Sequence, residues 1–140
     1  MNKYKLEFQH FGMAVRENQL AIKFLTGLGY RIGSEIEDSL QDVFVLEATH
    51  ENMPTIEIVW PRSSDGPLES ILSKGNGLIY HSCFRTINAK ESISLLEQDG
   101  FQVRPIVQPT KAPLFNNQKV SFYYVSGYGL IELLETIDSH

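Results

Sequence analysis

Two stretches of the chain decide its fold. HFGMAV at residues 10–15 and AIKFLTGLGYRI at 21–32 return as HSCFRT at 81–86 and SISLLEQDGFQV at 92–103. The offset of 71 places His10 on His81 and Gly29 on Gly100. A fixed offset over matching apolar and glycine positions is typical of one supersecondary unit that is used twice. The sequence therefore predicts two copies of the same module.

Each copy predicts a strand, a helix and three further strands. The helices follow from apolar residues at helical spacing, with Asn18 and Asn88 suited to the N-caps and Gly29 and Gly100 to the ends. The β-prone runs are 8–15, 30–36, 43–48 and 55–60 in the first copy, and 78–85, 101–103, 120–125 and 130–135 in the second. The predicted order is βαβββ, twice.

The repeat defines one domain, residues 1–140, built from modules at about 6–60 and 78–136. In the linker, Pro67 and Gly75 bracket a short predicted helix, LESILSK. Residues 104–118 hold Pro105, Pro109 and Pro113, which predicts a loop without regular structure. Such a loop is either a lid over a binding site or a mobile surface segment.

The repeat also relates polar residues within apolar strands. His10 and His81 occupy the same place in the two first strands, and Ile56-Glu57-Ile58-Val59 matches Ile131-Glu132-Leu133-Leu134 at an offset of 75. Side chains alternate along a strand, so each glutamate points away from the face that its aliphatic neighbours occupy. Burying a carboxylate without a partner is costly, and a metal ion would satisfy it.

Taken singly, each of these residues is more often structural or solvent-exposed. Taken together, four polar residues at two repeat-related positions favour a metal site with His10, Glu57, His81 and Glu132 as ligands. Two imidazoles and two carboxylates suit one divalent ion of zinc, nickel, cobalt, manganese or iron.

The composition excludes several classes of protein. The formal net charge is 12 − 17 = −5, which argues against a nucleic-acid partner, because such proteins usually carry a basic face. The single cysteine, Cys83, excludes an intramolecular disulfide. No apolar run is long enough for a membrane span or resembles a secretion signal. A cytoplasmic protein is the expectation.

These motifs resemble the vicinal oxygen chelate superfamily, which includes glyoxalase I and methylmalonyl-CoA epimerase. The resemblance runs from His10 to Glu135, and IEIVWPRSSDGPLESILSKGNGLIYHSCF and KVSFYYVSGYGLIELLE look closest to the epimerase branch. It implies an α+β fold in which two βαβββ modules form a cupped mixed sheet with the helices on its convex side. It also implies the same four metal ligands.

The sequence departs from the epimerase at two places. Where this chain has Leu40-Gln41-Asp42, the epimerase carries a Glu-Gln-Gly motif whose glutamate is a catalytic base. Where this chain has Tyr80-His81, the epimerase carries His-His. Glu132 is then the candidate base, and a one-base route fits better than a two-base route.

Other residues are candidates for lining a substrate site. Counting by twos from His81 places Cys83 and Arg85 on its strand face. Arg85 is either a ligand for a substrate carboxylate or phosphate, or a solvent-exposed arginine. Cys83 is a lining residue or a small packed side chain, and Tyr123 or Tyr124 would supply a hydroxyl.

Several functions remain open from the sequence. The first is a metal-dependent isomerase or epimerase that stabilises an enolate next to a carbonyl or acyl thioester, and the second is a lactoylglutathione lyase of the glyoxalase I kind. A third is a metal-free binding protein of the same fold, and a ring-cleaving dioxygenase is disfavoured because it needs only one carboxylate ligand. The expected partners are a small-molecule substrate and a second copy of the chain.

Overall fold

The computed structural model describes residues 2–136, so residue 1 and residues 137–140 of the predicted domain lie outside the described part. The chain divides into two compact units, and the prediction of a single domain stays a prediction. Residues 10–80 form the first unit, and the residues up to 9 together with those from 81 onward form the second.

The first unit contains most of strand β1 and every element up to helix α2. Their bounds are β1 Glu7–Ala14, α1 Gln19–Gly27, β2 Arg31–Ile32, β3 Ile36–Asp38, β4 Val43–Thr49, β5 Ile56–Pro61 and α2 Glu69–Leu72. Strand β5 pairs in parallel with β1 and antiparallel with β4. Both β2 and β3 pair antiparallel with β4. This arrangement places β5 between β1 and β4.

The second unit repeats this order. Its elements are β6 Leu78–Thr86, α3 Ala89–Gln98, β7 Val103–Ala112, a 3-10 turn at Pro113–Phe115, β8 Gln118–Val125 and β9 Gly129–Glu135. Strand β9 pairs in parallel with β6 and antiparallel with β8, which pairs antiparallel with β7. In both units, therefore, the first strand lies beside the last one.

Each helix packs on one face of its own sheet. In the first unit, Leu25 of α1 is buried against Leu46, Ile56 and Ile58. In the second unit, α3 contributes to a core of Ala89, Leu96, Val125, Ile131 and Leu133. Because side chains alternate along a strand, the residues between these core positions face the opposite side of each sheet.

The predicted helices agree with the structure. Gly29 and Gly100 follow α1 and α3 with φ of +98° and +96°, the left-handed conformation expected after a helix. Asn88 caps α3 by accepting a hydrogen bond from the Glu91 backbone N–H, whereas the Asn18 side chain makes no capping hydrogen bond.

Two sequence predictions were wrong. Residues 103–112 form strand β7 rather than a loop, because their backbone pairs with β8 on one side. The pairing shifts register between Pro105 and Val107 and again before Thr110, and such irregularities accommodate prolines, which cannot donate to a ladder. In addition, the single strand predicted at residues 30–36 is two short strands, β2 and β3.

Candidate metal centre

A buried histidine and glutamate lie side by side in the first unit. His10 stands on β1 and Glu57 on the neighbouring β5, where Glu57 is the Cα partner of Gly12. The His10 Nε2 atom lies 3.5 Å from a Glu57 carboxylate oxygen, and the two side chains are 0% and 8% exposed. Their strand neighbours Phe11, Ile56 and Ile58 pack toward α1, so the pair occupies the face away from that helix.

A second pair occupies the equivalent place in the second unit. His81 stands on β6 and Glu132 on the neighbouring β9, where Glu132 is the Cα partner of Cys83. The His81 Nε2 atom lies 3.0 Å from a Glu132 carboxylate oxygen, and the two side chains are 0% and 4% exposed. The Phe122 ring meets the His81 ring edge-on, with centroids 5.2 Å apart.

The two pairs share one register. In each unit the glutamate is the cross-strand partner of the residue two positions after the histidine, Gly12 in the first unit and Cys83 in the second. The repeat seen in the sequence is thus also a repeat in strand pairing. The offset between the glutamates, 75, differs from that between the histidines, 71, because the intervening connections differ in length.

The donor set of the two pairs fits a divalent metal ion. His10 and Glu57 in the first unit and His81 and Glu132 in the second are all buried, and each offers one atom that could bind such an ion. Imidazole nitrogen and carboxylate oxygen are ligands for zinc, nickel, cobalt, manganese and iron. Carboxylates buried to this extent need a counter-charge or hydrogen bonds, and a bound cation supplies the charge.

The residues predicted to line a substrate site have different surroundings in the structure. Cys83 and Arg85 lie on the His81 face, as the alternation predicts. Cys83 is fully buried, however, in an apolar cluster with Ala112, Val120 and Leu134. The Arg85 guanidinium donates to the Glu7 carboxylate at 3.3 Å and is 41% exposed, so it already serves an ion pair of the chain.

Of the two tyrosines considered as a source of a hydroxyl, Tyr123 lies on the face away from His81, whereas Tyr124 lies on the same face of β8 as Phe122. Tyr123 packs against the core on the α3 side of the sheet, which Phe84 and Ile93 also contact. Its neighbour Phe122 is the Cα partner of Glu132 and takes the other face. The pairing between β8 and β9 determines which of the two residues faces His81. The sequence of either strand alone does not show it.

Glu47 on β4 is a further acidic residue near the first pair, and it was not among the residues predicted for the site. Glu47 is the Cα partner of Glu57, and its neighbours Leu46 and Ala48 pack toward α1. It therefore shares the face of Glu57, in a half-buried position. The alternation of VFVLEAT could have placed Glu47 opposite Leu46, but not across from Glu57, because the pairing register between β4 and β5 is a tertiary property.

The acidic residues beside Leu40 are engaged in local contacts. Leu40 itself is 65% exposed. Asp38 accepts hydrogen bonds from the backbone and side-chain N–H groups of Gln41, and Glu37 is bound to Arg62 at 2.8 Å. These carboxylates thus hold the turn together.

Comparison with known proteins identifies relatives of this architecture. The family model of the glyoxalase/bleomycin resistance protein/dioxygenase superfamily matches residues 9–124. A comparison with curated protein sequences finds no match. No helix in residues 2–136 has the length and apolar character needed to cross a membrane.

Solved structures share the fold across nearly the whole chain. A hypothetical protein from Bacillus halodurans is 20% identical with a TM-score of 0.75, covering 96% of this chain and 97% of its own. Methylmalonyl-CoA epimerase from Mycobacterium tuberculosis is 18% identical with a TM-score of 0.73, covering 96% and 91%. A variant of the Streptomyces coelicolor epimerase in complex with 2-nitronate-propionyl-CoA is 16% identical with a TM-score of 0.65, covering 94% and 98%. These matches confirm the predicted α+β, glyoxalase-like fold.

Proposed function

Because the chain belongs to the glyoxalase/bleomycin resistance protein/dioxygenase superfamily, we propose that it is a divalent-metal-dependent isomerase or epimerase acting next to a carbonyl or acyl thioester. One observation carries the proposal. Two buried His/Glu pairs stand in the same strand register, one in each unit. A cation bound by both pairs would need buried donors in each unit, and each pair provides an imidazole and a carboxylate.

The proposed ligands are His10, Glu57, His81 and Glu132. A divalent ion held by them would supply Lewis-acid chemistry next to a substrate carbonyl, which would make the neighbouring C–H bond more acidic. The four side chains are buried, and electrostatic stabilisation of a developing charge is stronger where water is excluded.

Glu132 is the proposed general base. Its carboxylate accepts the proton from the carbon next to the carbonyl, and the electron pair of that C–H bond moves into the enolate. Return of the proton to the other face of the same carbon completes an epimerisation. Return to the adjacent carbon completes an isomerisation of the glyoxalase type. In both cases the atoms and charges of substrate and product balance.

The proposed substrate class is an acyl thioester, and the comparisons support it. Structures similar to this chain include epimerases bound to methylmalonyl-CoA and to 2-nitronate-propionyl-CoA. Leu40 is exposed, and by the sequence resemblance it takes the position of the epimerase's other base, which favours a route with one base. That feature keeps a lactoylglutathione lyase as the second candidate, since its proton transfer needs a single carboxylate. A cytoplasmic homodimer is part of the proposal.

Metal content and proton exchange test the proposal together. The purified protein should hold about one divalent ion per chain, and His10→Ala and His81→Ala should each lose it. The metal-loaded protein should exchange the α-proton of a 2-substituted acyl thioester for deuterium in heavy water, and a chelator should stop the exchange. A wild-type protein that remains metal-free after loading would refute the metal centre. Retained metal without exchange for any thioester tested would refute the enolate chemistry.

A further inference from the structure

An arginine and a tyrosine at the sheet edge of the second unit have no role in the proposed mechanism. Arg104 on β7 is the Cα partner of Tyr124 on β8. Its guanidinium carbon lies over the Tyr124 ring, 5.3 Å from the ring centroid, and both residues are exposed. A cation over an aromatic face is attracted to it, so the ring holds the guanidinium at one place on the sheet.

The guanidinium of Arg104 is not neutralised by the described part of the chain. Within residues 2–136 it forms no ion pair and donates no hydrogen bond. Three other arginines are each bound to a carboxylate, namely Arg16, Arg62 and Arg85. In a chain of net charge −5, an arginine held in place without an acidic partner therefore stands apart.

The surroundings of this arginine are also free of acidic residues. The stretches that flank it along β7, and its partners on β8 and β9, are residues 102–106, 122–126 and 128–131, and they contain no aspartate or glutamate. A guanidinium carries N–H donors in a planar fork that matches a carboxylate or a phosphate. Its donors are thus available to an anionic group of a ligand.

Arg104 lies on the sheet face that carries the His81 and Glu132 pair. Its partner Tyr124 is in turn the Cα partner of Leu130, two residues before Glu132 on β9. Side chains two residues apart on a strand point to the same side. With strands about 4.8 Å apart and residues about 3.4 Å apart along them, the Cα atoms of Arg104 and Glu132 are about 12 Å apart.

This separation indicates where on a ligand the anionic group lies. An anion bonded directly to the carbon that reacts beside Glu132 would be too far from the Tyr124 ring to meet Arg104. An anion carried further along the ligand would reach it. Phe122 and Leu130 lie between the two places on the same face, and both are apolar, which suits a neutral connecting segment.

We infer that Arg104, held on the Tyr124 ring, binds an anionic oxygen group on the thiol carrier of the substrate. The inference rests on the proposed function, because it takes the substrate to be a thioester, and it deepens that function by naming the chemistry of the carrier. The phosphate of a phosphopantetheine carrier and the carboxylates of glutathione share this chemistry. Arg104 is a binding residue, and proton transfer is left to Glu132.

Two matched pairs of probes test the inference. Phosphopantetheine and pantetheine differ by a phosphate, and glutathione and its diethyl ester differ by the carboxylate charges. All are used as S-methyl derivatives, so that no free thiol can bind a metal ion. Calorimetry measures their dissociation constants on the metal-loaded wild type, on Arg104→Gln and on the control Lys90→Gln, which removes an exposed positive charge from α3 on the other sheet face.

The wild type should bind a charged probe roughly tenfold more tightly than its neutral partner. Arg104→Gln should lose this preference, and Lys90→Gln should keep it. Tyr124→Phe retains the ring and should keep the preference, whereas Tyr124→Leu should reduce it about threefold. In the wild type the preference should also shrink as salt rises, and this measurement needs no variant. Thermal melting verifies that each variant folds.

The outcomes separate this inference from the proposed function. A preference within only one pair supports the inference and identifies the carrier as the phosphate or the carboxylate one. An equal preference in wild type and Arg104→Gln overturns the role of Arg104. A wild type that does not distinguish charged from neutral probes, or that binds none of them, overturns it as well. If the preference is found but no thioester exchanges its α-proton, the enolate chemistry is refuted and the anion site stands.

Discussion

The two pseudo-equivalent glutamates allow metal binding and proton transfer to be separated. Glu57→Gln and Glu132→Gln each replace a carboxylate with an amide of the same size that retains one oxygen donor. Both side chains are almost fully buried, and both stand in the same register relative to a histidine. We therefore expect the two variants to lose metal affinity by similar factors, because each removes one buried carboxylate charge next to a histidine.

Their effects on turnover should differ. If Glu132 is the general base, Glu132→Gln should slow α-proton exchange by roughly 10²–10⁴-fold. At about 1.36 kcal/mol for each factor of ten, this corresponds to about 2.7–5.4 kcal/mol of transition-state stabilisation. Glu57→Gln should slow exchange only as far as its metal occupancy falls, because the amide leaves the base untouched.

The assay measures exchange in heavy water at metal concentrations that saturate each variant, with occupancy determined on the same samples. Saturation is essential, since loss of metal would imitate loss of the base. Full-rate exchange in metal-saturated Glu132→Gln would rule out the assigned base. Equal loss in both saturated variants would show that the carboxylates act as a charged ligand set rather than as one base and one ligand.

Two further predictions concern stability. Tyr30→Phe should lower the free energy of unfolding by about 1 kcal/mol at neutral pH, because the Tyr30 hydroxyl donates to the Pro54 carbonyl oxygen at 2.6 Å. Burial raises the pKa of Tyr30 in the folded protein. Above about pH 10 the phenol therefore loses its proton more readily in the unfolded chain than in the folded protein, which lowers the free energy of unfolding. Denaturant titrations should then show the wild-type advantage shrinking as pH rises from about 10, and a constant gap would contradict this. Asn88→Ala should lower the free energy of unfolding by about 1 kcal/mol, because it removes the side chain that caps the Glu91 N–H. Asn18→Ala removes no capping hydrogen bond and should lower it much less. Equal losses of unfolding free energy in denaturant titrations would argue against the capping role.

The sequence alone determined the repeated module and its polar positions. Both follow from local patterns, because strand alternation, helical spacing and glycine at helix ends can be recognised in consecutive residues. The repeat shows each pattern a second time. His10 and His81 therefore stand out from the amino-acid sequence by itself, as do Glu57 and Glu132. The family comparison and the structural matches agree with the superfamily and the α+β fold that these motifs predicted.

Only the tertiary structure decided which residues oppose one another across strands. The pairing of β8 with β9 turned Tyr123 toward α3 and brought Phe122 opposite Glu132. Pairing with β8 made a strand of the proline-containing segment 103–112, because an edge strand and register shifts tolerate missing N–H groups. The pairing of β4 with β5 set Glu47 across from Glu57. Register between strands depends on contacts between residues far apart in the chain, so the periodicity of one strand does not determine it.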